Sequence, residues 1–106
     1  MNTVTITIGR NVGTVAMYDG EWAAFQNAVQ VILENANADI HVRYAPGRGS
    51  WTDVDGYTVE EENATWVAGL DPAAVETVRD NLARLAFLYV QDAIAYTVGT
   101  TDLVAA

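Results

Sequence analysis

Apolar and polar positions divide this chain into six segments, each with a period of two or of about 3.6. Thr3–Ile8 alternates with period two, Glu21–Ala36 carries a stripe at helical spacing, and Ile40–Tyr44 alternates again. Gly56–Leu70 is a second extended run, Ala73–Val90 a second helical stripe, and Ala93–Val98 a last alternating segment. Period two fits a half-buried strand and period 3.6 an amphipathic helix, so the pattern predicts the order β-α-β-β-α-β.

That order is the split βαβ arrangement of ferredoxin-like α+β domains, a four-stranded antiparallel sheet with two helices on one face. Val4, Ile6 and Ile8 should point at the helices, and Thr3, Thr5 and Thr7 at an uncovered face shared with His41, Arg43, Ala95 and Thr97. Trp22, Phe25, Val29, Ile32 and Leu33 form the stripe of the first helix, with Asp19 as its expected N-cap and Asn35, Asn37 and Asp39 ending it. Ile40, Val42 and Tyr44 should face the core. Pro46, Gly47 and Gly49 then suggest that Ala45–Gly56 is a long hairpin tip.

The third strand carries a conflict of phase. Tyr57 and Val59 share one parity, whereas Ala64, Trp66, Ala68 and Leu70 share the other. A bulge within Glu60–Asn63 would reconcile them, or Val67 keeps the first phase and Trp66 looks outward. Asp71-Pro72 marks the next helix start, since aspartate caps and proline at the first helical position loses no hydrogen bond. Val75, Val78, Leu82, Leu85 and Tyr89 form the second stripe, flanked by Ala86 and Leu88. Ile94, Tyr96 and Val98 are the inner face of the last strand, and Leu103-Val104 an apolar tail.

The length of 106 residues fits one domain over 1–106, and 51% apolar residues suffice for one core. No apolar run approaches the roughly 18 residues of a membrane span, and the N-terminus lacks a basic leader, so the expectation is a cytoplasmic protein without membrane contact. Cysteine is absent, which excludes disulfides, thiolate metal sites and cysteine nucleophiles. Fourteen acidic residues face five basic ones, all arginine, for a net charge of −9. Such a charge repels phosphate backbones, so direct nucleic-acid binding is disfavoured and a basic protein surface is the better partner.

Candidate chemistry is sparse. Gly9–Gly13 follows a strand but lacks the lysine and hydroxyl of a phosphate loop. Acylphosphatases share this topology, yet Gly13–Met17 has no aromatic-arginine pair. His41, the lone histidine, with Arg43 and Arg10 forms the only reasonable anion-binding set, between the Gly9–Tyr18 loop and the Gly47–Gly56 tip. Glu60, Glu61 and Glu62 alternate between faces and do not enclose a cation, so no metal or other cofactor is expected. Trp51 is the least ordinary residue, a large indole among Gly, Ser and Asp, with Arg48 three positions away. Tryptophan and arginine dominate interface hot spots, which makes Arg48, Trp51, Asp53, Asp55 and Glu60–Glu62 a candidate contact surface.

The segments Thr5–Gly13 (TITIGRNVG) and Ala93–Val104 (AIAYTVGTTDLV) resemble small proteins from phages of GC-rich bacteria. Those families have no established activity, so the resemblance implies an accessory protein that works by binding. The expectation is therefore a non-catalytic interaction domain that modulates a host protein. Two alternatives are a small-molecule or anion-binding domain or small enzyme using the 9–18 and 47–56 segments, and a structural homo-oligomer.

Overall fold

The computed structural model describes residues 2–10, 17–52, 56, 58–91 and 93–99, with the backbone alone over 44–52 and 58–61. The elements are β1 (Asn2–Gly9), α1 (Asp19–Asn35), β2 (Asp39–Thr52), β3 (Thr58–Leu70), a 3₁₀ turn (Pro72–Ala74), α2 (Val75–Leu88) and β4 (Ala95–Gly99). The strands form one antiparallel sheet in the order β2-β3-β1-β4, the ferredoxin-like arrangement. The expected tail at Leu103-Val104 lies outside the described residues.

Val4, Ile6 and Ile8 of β1 and Ala64, Trp66, Ala68 and Leu70 of β3 are buried against Trp22, Phe25, Val29 and Leu33 of α1 and Val75, Val78, Leu82 and Leu85 of α2. Thr3, Thr5 and Thr7 point the other way, and the Thr7 and Thr65 hydroxyls meet across the open face at 3.0 Å. That alternation follows from the pleat.

Both helices end in a Schellman motif. In α1 the Asn37 and Ala38 amides donate to Glu34 and Leu33 carbonyls, with Asn37 at φ 54°. In α2 the Val90 and Gln91 amides donate to Phe87 and Ala86 carbonyls, with Val90 at φ 55°. The Asp71-Pro72 signal starts the 3₁₀ turn, Asp71 Oδ1 accepting from the Ala73 amide at 3.1 Å; α2 itself begins at Val75 behind Ala74, which makes no side-chain cap bond. The α1 start differs. Tyr18 is the N-cap residue, its amide donating to Glu21 Oε1, and Asp19 is the first helical residue.

Three expectations need correction. The segment Ala45–Gly56 is not a long tip, because β2 continues to Thr52 and β3 begins at Thr58. The irregularities lie on β2, between Ile40 and Val42 and between Tyr44 and Gly47, and none falls within Glu60–Asn63 of β3. Proline lacks an amide proton, so Pro46 is tolerated in a strand at such a bulge. Trp66 is fully buried, which removes the outward alternative. Finally, Leu88 does not flank the core: it is exposed on the outer side of α2, while Leu85 and Ala86 beside it are buried.

Candidate functional site

Arg10 closes the base of the first loop. Its Nε donates to the Met17 carbonyl at 2.8 Å, one terminal nitrogen to Asp19 and the other to Glu62 Oε2 at 3.3 Å. Backbone bonds from the Arg10 amide to the Glu62 carbonyl and from the Met17 amide to the Arg10 carbonyl frame the same corner. The bond to Asp19 is the main reason that its pKa is raised further above the usual arginine value, with desolvation opposing and Glu62 assisting. A guanidinium with all three nitrogens engaged ties β1, β3 and the start of α1 together, and Glu62 is committed to that tie.

The extra residue at His41 reverses the facing of the next side chains on β2. Ile40 lies opposite Ala68 on the core side, but Val42 lies opposite Val67 and Arg43 opposite Trp66. Arg43 was expected on the uncovered face; the bulge carries it to the helix side, where its guanidinium sits 5.2 Å from the Trp66 ring and donates to Gln26 Oε1 at 3.3 Å. Trp66 in turn donates its indole N–H to Gln30 Oε1 at 2.9 Å. His41 remains exposed, with Nδ1 3.8 Å from Asp39 Oδ2. The structure therefore separates Arg10, His41 and Arg43. Arg48 and Trp51 belong to β2 and Glu60 and Glu61 to β3, where the backbone alone is described. Asp53 and Asp55, and the pocket expected between the two loops, lie outside the described residues.

A concavity among the described residues lies elsewhere. Between α2 and β4, Arg79, Leu82, Ala86, Phe87, Ile94 and Tyr96 line a depression of about 510 Å³. Leu82 and Ala86 form its floor as part of the α2 stripe, and Phe87 its rim. The Tyr96 hydroxyl donates to the Val75 carbonyl at 2.9 Å, which joins β4 to the first turn of α2. Arg79 stands 5.7 Å over the Tyr96 ring and 3.7 Å from Glu76. Burial pushes the Tyr96 pKa up, Arg79 opposing and Glu76 assisting. The result is an apolar cup with one cation and one phenol at its side, within the ordinary size range of small-molecule sites. On sequence alone Tyr96 belongs to the core and Arg79 to the outer helix face. Their seventeen-residue separation gives no sign that they meet.

Among the described residues no group of three His, Asp or Glu side chains is gathered to hold a metal ion, and no helix is long and apolar enough to cross a membrane. No protein-family model and no curated protein matches the chain. Solved structures do. A phage SAM lyase in complex with S-methyl-5'-thioadenosine superposes with a TM-score of 0.64 at 18% identity, covering 92% of this chain and 79% of its own. A phage SAM lyase in the apo state gives a TM-score of 0.60 at 18% identity, with 92% and 78% covered. These likenesses establish the fold and support the phage connection. They also correct the expectation of a non-catalytic interaction domain: the fold neighbours are an enzyme, one of them holding a small molecule.

Proposed function

We propose that the chain is a small enzyme of the SAM lyase type, which splits S-adenosylmethionine and releases S-methyl-5'-thioadenosine. The observation that carries this reading is the common fold over 92% of the chain with the lyase that holds that nucleoside. The net charge of −9 is consistent with it, since a sulfonium substrate is cationic and is drawn toward an acidic protein that repels phosphates.

The chemistry asks little of the protein. The product keeps the methyl and adenosyl groups on sulfur, so the broken bond joins sulfur to the amino-acid arm. Its electron pair goes to sulfur, which leaves as a neutral thioether and needs no proton. The substrate's own carboxylate can supply electrons to the vacated carbon, closing a lactone without water. Catalysis is then mainly positioning and exclusion of solvent. In the cup beside β4, Leu82, Ile94 and Phe87 offer apolar surface for the adenine, and Arg79 offers a cation for the carboxylate. The Tyr96 hydroxyl, anchored on Val75, has lone pairs left to accept a bond. As S-adenosylmethionine is an intracellular metabolite, such an enzyme acts in the host cytoplasm.

Incubation of the purified chain with S-adenosylmethionine, followed by chromatography, should show S-methyl-5'-thioadenosine accumulating in proportion to protein. Arg79→Gln should raise KM more than it lowers kcat. Product at a hundredfold excess over its dissociation constant should add about 2.7 kcal/mol of stability. Absence of product, together with no thermal shift from either compound, would refute the assignment.

A further inference from the structure

A smaller cleft lies between α1 and β2. Ala23, Gln26, Asn27, Gln30 and Arg43 line it, and its volume is about 200 Å³. Gln26 is only 8% exposed, so its carboxamide is built into the wall. β2 is one edge of the sheet and β4 the other, which puts this cleft on the opposite flank from the cup.

The hydrogen bonds of its walls all run in one direction. The Arg43 guanidinium and the Trp66 indole can only donate. They therefore claim the side-chain oxygens of Gln26 and Gln30, at 3.3 and 2.9 Å. Gln26 Nε2 is turned to the Trp22 carbonyl at 3.4 Å. Gln30 lines the cleft with its oxygen already used, and its amide protons have no partner among the described residues. Asn27 adds an exposed carboxamide. Arg43 commits one terminal nitrogen to Gln26, and its other N–H groups make no hydrogen bond among the described residues.

No carboxylate lines the cleft. Arg10 is paired with Asp19 and Glu62, and Arg79 stands beside Glu76, but Arg43 has no ion pair among the described residues. Its charge is held in place against the Trp66 ring, 5.2 Å from the centroid. On a chain of net charge −9, the cleft displays an oriented cation and free donors whose nearby acceptors are consumed.

We infer that this cleft binds a small carboxylate, Arg43 meeting its oxygens and the amide protons of Gln30 and Asn27 completing the shell. A planar carboxylate matches the guanidinium fork. Its single charge also meets less repulsion from an acidic chain than the higher charge of a phosphate does. A cleft of about 200 Å³ lies below the range of drug-sized sites, so it suits a short acid and excludes a nucleotide. The site is separate from the cup and does not depend on the reaction carried out there.

Acetate is the probe, titrated into the isotope-labelled full chain beside sodium chloride at equal ionic strength. The amide-type resonances of the Trp66 indole and the Arg43 guanidinium should shift along a saturable curve with acetate and stay in place with chloride. Arg43→Gln should weaken binding tenfold or more. Should that variant fail to fold, Gln30→Glu keeps an acceptor for Trp66 while placing a carboxylate in the cleft, and acetate binding should vanish. A response that does not saturate, that chloride reproduces, or that survives either substitution overturns the proposal. Tighter binding of inorganic phosphate than of acetate overturns a carboxylate as the ligand.

Discussion

The two helices cover the same sheet but close it differently. α1 is fastened to β2 and β3 by side-chain hydrogen bonds, Gln30 to Trp66 and Gln26 to Arg43, and Phe25 stacks on Tyr89 at 4.8 Å. α2 is joined to β4 through Tyr96, and the rest of that seam stays open as the cup beneath Phe87. Part-buried polar ties of the first kind specify an element's position, whereas an open seam leaves surface uncovered. One half of the molecule is tied down by side-chain bonds, and the other leaves an open depression along its seam.

The comparison breaks if phenylalanines on the two halves behave alike. Phe25→Ala removes a fully buried ring from the α1 side and should cost about 3–5 kcal/mol, while Phe87→Ala should stay within about 0.5 kcal/mol in denaturant unfolding of dilute protein. Equal losses would mean that the α2 end is as closed as the α1 end. A finer cut is Gln30→Leu, which leaves the Trp66 indole N–H without its acceptor. That orphaned donor should cost about 1–3 kcal/mol, read as a lower urea midpoint at unchanged slope.

The closed half was mostly legible and the open half mostly was not. Val4, Ile6 and Ile8 and the stripe from Trp22 to Leu33 could be read because one face of each element is buried along its whole length. Leu88 misled because, although three residues after Leu85, it lies on the outer side of the helix, off a stripe that continues through Ala86 to Tyr89. Arg43 misled because period-two reading passes through the extra residue at His41 and puts Arg43 on the wrong face. The phase conflict of Tyr57 and Val59 with Trp66 pointed to a bulge within Glu60–Asn63, and that reading fails: β3 pairs regularly there, and the extra residues lie on β2, where they leave the parity of β3 unchanged. The cup was invisible because Arg79 and Tyr96 have ordinary roles on their own elements, and only their packing brings them together.

The helix ends give the same comparison in a single residue. α1 finishes with Asn37 and α2 with Val90, both in the left-handed region. Asparagine tolerates that conformation through its short polar side chain, but a β-branched residue there is strained by about 1–2 kcal/mol. Val90→Gly should therefore stabilise the protein by about 1 kcal/mol after the added freedom of the unfolded chain is deducted, whereas Asn37→Gly should change little. For a domain of this size, the gain reads as a rise in Tm of about 4–8 °C.

The smallest effect concerns the one tie that the open half does have. Burial raises the Tyr96 pKa, so the folded state favours the protonated phenol, whose proton is the one donated to Val75. Below about pH 10, phenol is protonated in both folded and unfolded chains, and the tie contributes in full. As pH rises past that value the unfolded chain releases its proton first, and stability falls until the folded phenol ionises too. Arg79 beside the ring opposes the shift and Glu76 assists it. Unfolding of the wild type above pH 10 should thus steepen relative to Tyr96→Phe, which has no proton to lose at that position. Parallel curves for the two proteins would mean that the bond to Val75 does not hold the seam, and that α2 and β4 are kept together by their apolar contacts alone.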